Sequence, residues 1–407
     1  MALNLHTTYL RTLVIVSVAV VMAVAVINRA VNPYGLFAKD LMPGADRPET
    51  FTHLRLVKAA QVRHLRPQSL ILGSSRAETG LDPAHPAWQA KPVYNLGLSN
   101  ASLYEIKRYF QHACALGKVR QVVLLLDFAA FLPGAQPAPD FTENRLAVLP
   151  DGAKNLAWDS QDLISALLTW DAWNGSLATW IGREGEKRYL PDGSRDASAE
   201  DKRVLAKGGA VRAFAAYERR LLSSIKPTSA KGSLGENELQ QLRDMIHLAR
   251  QMAIDLRLAI APMHVRYQEI QRMQGYDTLY ETWKRTLVSI LKQEAEGKGN
   301  PFPLYDFGVY SDETIDPIPA KGLARYYYEA SHFNKALGNR LLGILLAPTD
   351  HSAINPAGNF GHRLTEDSLQ EHLLAVQKGR AQWAENHAQE LAALEAAMPQ
   401  GTKANRR

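Results

Sequence analysis

Residues 68–76 read Gln-Ser-Leu-Ile-Leu-Gly-Ser-Ser-Arg, and the fold follows from how they are read. A short apolar run ends in a glycine and two serines, the pattern of a buried strand that turns abruptly. Gly73 permits a tight bend that a residue with a side chain would strain. A hydroxyl at such a bend sits at the carboxyl edge of an open α/β sheet, where that architecture keeps its ligand sites. Working outward, Val93–Leu96, Gln121–Asp127, Arg257–Ala261 and Phe302–Asp306 are further short apolar runs bounded by turn residues. Helical periodicity lies between them. Ile106, Phe110 and Ala113 share a face behind a candidate Ser102 cap; Leu239, Leu242, Ile246 and Ala249 form another stripe. Trp283, Leu287, Ile290 and Leu291 form a third, and Leu337, Leu341 and Leu345 a last. This alternation predicts an α/β protein with a flavodoxin-like, doubly wound parallel sheet.

The chain has 407 residues, 46% of them hydrophobic, enough for one large α/β domain with additions or two smaller ones. The formal charge of +6 is spread out, with no Lys/Arg block interleaved with aromatics, so nucleic acid is not an expected partner. Cys114 is the sole cysteine, which excludes an intramolecular disulfide and a Cys-based zinc site. Twelve histidines show no paired helical spacing, and no metal site or cofactor is expected.

Thr12–Asn28 carries no charge and is almost wholly apolar. Its length is at the short end for a membrane span, and the lack of a small-x-small cleavage site before a polar start favours an uncleaved anchor over a signal peptide. The expected organisation is a tail (1–11), a transmembrane anchor (12–29), a connector (30–66) and the α/β domain (67–346). A partly helical insertion (132–235) interrupts that domain, and Leu156–Ile181 within it reads as one helical segment with four Trp. A linker with a further helix (347–397) and a disordered tail (398–407) close the chain. Arg29, Lys39 and Arg47 follow the span, so a literal positive-inside count keeps the large domain inside. The shortness of the amino-terminal tail argues the opposite, and the expectation is a single pass through the inner membrane with the domain periplasmic.

Far downstream stands Tyr328-Glu329-Ala330-Ser331-His332-Phe333. A carboxylate three residues before a histidine can orient its imidazole, which can in turn deprotonate a serine. Simpler roles exist for each residue. Ser74 and Ser75 also suit a helix cap, as does His332. Arg76 either meets an anionic substrate group or pairs with Asp127 or Glu78. His264, just after the fourth strand, either lines a substrate site or is structural. Trp170, Trp173 and Trp180 are either a sugar-stacking platform or core.

Gly73-Ser74-Ser75 after one strand, Asn95-Leu96-Gly97 after the next, and a terminal acid-x-x-His resemble the SGNH (GDSL-type) hydrolase superfamily. The likeness is to its membrane-anchored bacterial branch of alginate O-acetyltransferase-like and D-alanyl-transfer-like proteins, and covers about residues 50–346. The resemblance implies Ser75 as nucleophile, His332 as general base and Glu329 as its orienting acid. It implies the N–H groups of Ser75 and Gly97 as oxyanion donors, with Asn95 or Asn100 as substitute amides; from their own positions Arg76, Asn100 and His264 are the expected substrate-binding residues. Partners would be a cell-surface polysaccharide, the inner membrane and a membrane-bound acyl-transfer protein. Two departures stand out: Glu329 replaces the usual Asp, and the third strand ends Leu126-Asp127-Phe128 where the family carries an Asn. The expected activity is an esterase or O-acyltransferase; the other reading is a catalytically silent scaffold that binds polysaccharide or a membrane partner.

Overall fold

The computed structural model describes residues 2–37, 39, 41–156, 160–185, 187–223, 232–347 and 360–398. In chain order the longer elements begin with α1 (Ala2–Val31), α2 (Leu54–Leu65), β1 (Ser69–Leu72), α3 (Ser75–Gly80), β2 (Val93–Asn95), α4 (Leu103–Leu116) and β3 (Gln121–Leu126). Next come α5 (Ser160–Leu168), α6 (Trp170–Trp180), α7 (Ala197–Ala206), α8 (Ala210–Ser223), α9 (Glu236–Gln251), β4 (Asp255–Ile260) and α10 (Val265–Met273). The last are α11 (Asp277–Gln293), β5 (Leu304–Asp306), α12 (Lys335–Leu345), β6 (His362–Leu364), α13 (Glu366–Asn386) and α14 (Ala388–Ala396).

Two compact units form, one from residues 1–65 and 139–189, the other from 66–138 and 190–407. The expected 132–235 insertion is therefore divided between them. In the second unit the sheet runs β2-β1-β3-β4-β5-β6, parallel from β2 through β5, with β6 antiparallel at the edge. Register is fixed by pairs such as Ile71 with Val123 and Val123 with Arg257. β1 and β3 are fully buried, as continuous apolar runs in a parallel sheet require. Ile71, Val123, Leu125 and Ala259 form a core with Phe333 and with Leu337, Leu341 and Leu342 of α12. The chain leaves β1 toward β2 on one side and returns to β3 on the other. The crevice at the carboxyl ends of β1 and β3 is thus where an open α/β sheet places a ligand.

Local chemistry explains the boundaries. Ser102 and Glu105 close a capping box at the start of α4. Leu156–Ile181 does not form one helix: Thr169 is a fresh N-cap, its hydroxyl accepting Ala172 N–H, so α5 ends and α6 begins there. One of its four Trp, Trp158, lies outside the described residues. The stretch 366–395 breaks likewise at His387. At the amino terminus the helix starts at Ala2, earlier than the expected anchor, and its His6–Val31 part is long and apolar enough to cross a membrane. Of the expected disordered tail only Met398 is described; residues 399–407, and 348–359 of the linker, lie outside.

Asp306, expected to terminate the fifth strand, does so and also ties two helices to it. Its carboxylate is fully buried, 2.6 Å from Lys284 Nζ of α11, and accepts hydrogen bonds from His372 Nε2 of α13 (2.8 Å) and from Gly308 N–H (2.8 Å). Burial alone raises a carboxyl pKa, but the Lys284 charge and the His372 bond outweigh it and bring Asp306 down to about 2.

Candidate active site

Gly73 makes the turn out of β1. Its φ is 146°, and a Cβ there would stand 2.9 Å from Leu125 O and 3.0 Å from Ala77 Cβ, so only glycine lets the turn lie against β3. Ser74 caps α3, its Oγ accepting Arg76 N–H (3.2 Å) and donating to Asp127. Ser75 is the first residue of α3 and half-buried. Its Oγ lies 2.8 Å from His332 Nε2. His332 Nδ1 faces Glu329 Oε1, and the same carboxylate accepts Ser331 N–H (2.9 Å) and His332 N–H (3.1 Å). With Nδ1–H donating to Glu329, Nε2 is left to accept the Ser75 proton; the tautomer follows from these partners. The structure thus brings Ser75, His332 and Glu329 together across 257 residues of sequence.

Gly97 and Asn95 are placed otherwise than expected. Gly97 N–H donates to Asn95 Oδ1 (3.0 Å), and Asn95 Nδ2 donates to Ala77 O (2.8 Å) and Leu81 O (3.0 Å). Asn95 is fully buried. The pair fastens the end of β2 to α3, and neither group is presented to an oxyanion. Gly97 is required by close packing, since a Cβ would meet Glu78 N at 3.0 Å and Ala77 Cβ at 3.1 Å. The next residues are bonded to the same turn: Leu98 N–H to Gly73 O (2.9 Å) and Ser99 N–H to Glu78 Oε1 (3.0 Å). Asn100 then stands exposed with φ 54°, and its N–H has no acceptor among the described residues. The Ser75 N–H, at the first position of α3, has no intrahelical acceptor either.

Arg76 takes the ion-pair role, with Asp127, and the expected substrate-binding role is corrected: it is not free to bind a substrate anion. Its guanidinium is buried, ion-paired with Asp127, and donates from Nε (3.0 Å) and Nη2 (2.9 Å) to Ser331 Oγ. It lies 5.0 Å from the Tyr267 ring centroid. Arg76 therefore joins the Ser75 turn, the end of β3 and the His332 loop. Replacing Arg76 by Met should cost about 3–5 kcal/mol in denaturant unfolding, because Asp127 would stay buried and unpaired. Adding Asp127→Leu should recover much of that loss. Tyr217 of α8 stands edge-on to His332, ring centroids 6.2 Å apart. Ser331, Tyr217 and Tyr267 were not legible as site residues: Ser331 has no spacing signal, and the tyrosines sit in ordinary helical patterns.

His264 is structural rather than substrate-binding. It is 2% exposed, caps α10 by accepting Arg266 N–H at Nδ1 (3.3 Å), and is bonded through Nε2 to Asp316 O (2.9 Å). Burial lowers its pKa to about 4, against the opposing bond to Asp316. A depressed His pKa means the unfolded chain binds the proton first, so this stability is whole above about pH 6.5 and falls as pH drops toward 4. Asp306 acts over the next window, its contribution lost as pH falls from about 4 toward 2. Unfolding midpoints at pH 7, 5 and 3 should drop stepwise. In His264→Asn, which retains a capping group, the drop between pH 7 and 5 should shrink by about 2 kcal/mol; an unchanged slope would contradict the assignment.

Comparison of the chain with protein-family models and with curated proteins finds no match.

Proposed function

We propose that this protein is a single-pass membrane protein whose α/β unit is an SGNH-like serine esterase or O-acyltransferase. Its substrates would be acyl groups, chiefly acetyl, on a bacterial cell-surface polysaccharide, with the α/β unit on the periplasmic side of the inner membrane. The observation that carries the reading is the Ser75–His332–Glu329 chain of hydrogen bonds at the carboxyl edge of the sheet. The 2-1-3-4-5 order of the parallel strands supports a flavodoxin-like core.

In this reading Ser75 Oγ attacks the ester carbonyl while His332 Nε2 takes its proton, and the same nitrogen returns a proton to the departing alkoxide. Glu329 holds the ring and stabilises the imidazolium. The oxyanion falls to the backbone N–H of Ser75, which has no intrahelical acceptor at the first position of α3. Water or a sugar hydroxyl then attacks the acyl-enzyme, giving hydrolysis or transfer, and a membrane-bound partner would supply the acyl group for transfer. The polypeptide alone provides these groups, with no cofactor.

The test is fluorophosphonate treatment of the full chain in detergent, followed by peptide mapping. Labelling at Ser75 is expected. A second reading, a catalytically silent scaffold that binds polysaccharide or a membrane partner, draws on Asp127 where the family carries an amide and on the engaged Gly97 N–H. One absent oxyanion donor costs about 3–4 kcal/mol of barrier lowering. No labelling and no turnover of p-nitrophenyl acetate would favour that reading.

A further inference from the structure

Helices α5 and α6 are packed the wrong way round for water. Their inward residues are small, among them Ala166, Ala172, Gly175 and Ala178. Their outward residues are large and apolar: Leu163, Ile164, Leu168, Trp170, Leu177 and Trp180, each 48–73% exposed. An amphipathic helix on an aqueous surface shows the opposite arrangement. Both helices pack against the end of α1. There Asn28, fully buried, donates to Leu167 O (2.9 Å) and accepts from Ser176 Oγ (2.7 Å).

The position of that contact identifies what covers the face. The uncharged run 12–28 is 17 residues, about 26 Å of helix, close to the hydrocarbon thickness of a bilayer at about 30 Å. Its first following charge is Arg29, one residue after the Asn28 anchor. A bilayer crossed by α1 therefore ends where α5 and α6 are attached. An open cleft of about 530 Å³ at this level is lined by Ala25, Val26, Leu41 and Leu167 together with Arg29 and Lys39. Cations at the end of an apolar span suit anionic headgroups, and exposed Trp suits the interfacial belt. Asp171 and Asn174 lie with Glu49 and Arg183 in a polar hollow that Leu177 also lines, so the margin of the face runs along Leu177.

We propose that the outer face of α5 and α6 lies in the headgroup–acyl boundary of the bilayer, with Arg29 and Lys39 on lipid phosphates, so that this unit is a membrane-docked base rather than a tethered one. The inference rests on α1 being a membrane span. The occupant is lipid and not a second copy of the chain, because the face is continuous with α1, whose apolar span ends at Arg29 beside it.

The full chain is reconstituted in phosphatidylcholine–phosphatidylglycerol vesicles carrying lipid brominated at carbons 6 and 7 or at 11 and 12. Intrinsic Trp fluorescence is compared for wild type and Trp170→Phe/Trp180→Phe, with the unfolding midpoint confirming that the variant folds. Quenching is expected for wild type, stronger with the shallow bromines, and at least threefold smaller in the variant. Equal quenching in both proteins, or none, with wild type retained on the vesicles through an alkaline carbonate wash, overturns the docked face and leaves the span standing. Release of wild type by carbonate overturns the span and the docked face with it. Shielding of Trp170 and Trp180 by a second copy would appear as absent quenching and also overturns the proposal.

Discussion

Ser75→Ala should abolish covalent capture by fluorophosphonate and lower esterase turnover by at least about 10³-fold, the scale expected when a triad nucleophile is removed. The fold should survive, because the Ser75 hydroxyl is half-buried and its only described side-chain partner is His332. The adjacent serine behaves differently. Ser74 accepts Arg76 N–H and donates to Asp127, so Ser74→Ala removes a cap at a cost of about 0.5–2 kcal/mol while leaving Ser75 within reach of the base. Labelling of the two variants side by side checks the register. A dead Ser74→Ala beside an active Ser75→Ala would place the nucleophile one residue early.

Glu329→Gln should reduce turnover by up to about 10⁴-fold, as loss of the orienting carboxylate does in serine proteases. Two effects combine in it. A neutral amide stabilises an imidazolium poorly, and its NH₂ can face Nδ1 and force the other tautomer, leaving Nε2 protonated and unable to take the Ser75 proton. The variant also tests structure, since Glu329 accepts the N–H groups of Ser331 and His332. Gln retains one acceptor oxygen for two such bonds. Measuring kcat and the unfolding midpoint together separates these roles: a collapse of kcat with the midpoint within about 1 kcal/mol of wild type assigns Glu329 to chemistry. A turnover within threefold of wild type would remove it from the mechanism.

The sheet was legible because parallel strands buried on both faces read as uninterrupted apolar runs; Ser69–Leu72 appears in the structure with the bounds its sequence implies. β6 was not, because His362–Leu364 is a three-residue edge strand with two exposed positions and no apolar run. The helix break at Thr169 was masked by apolar periodicity on both sides, although a threonine followed by a fresh stripe is a cap signal. Division into two units was not readable either, because what joins residues 1–65 to 139–189 is packing among Tyr34, Leu36, Leu56, Ala166 and Ala172, which no local pattern encodes. In the site, side-chain types pointed to Ser75, His332 and Glu329. Where a backbone N–H or a side-chain amide points depends on the surrounding turns, and there Gly97 and Asn95 departed from expectation.

That first unit, made of two stretches separated by most of the early α/β sequence, constrains how the chain can be made. Asn28 waits for Leu167 and Ser176, which leave the ribosome some 140–150 positions later. At a synthesis rate of roughly 5–20 residues per second, that interval is on the order of 7–30 seconds. During it β1, β2 and β3 emerge in full and can begin to pair, while α2 has no complete partner surface. The amino-terminal segment must therefore be held by something other than its eventual neighbours, and an apolar helix that enters lipid early would serve. Within that unit assembly would then finish on its oldest element, with α5 and α6 closing onto a helix made long before them.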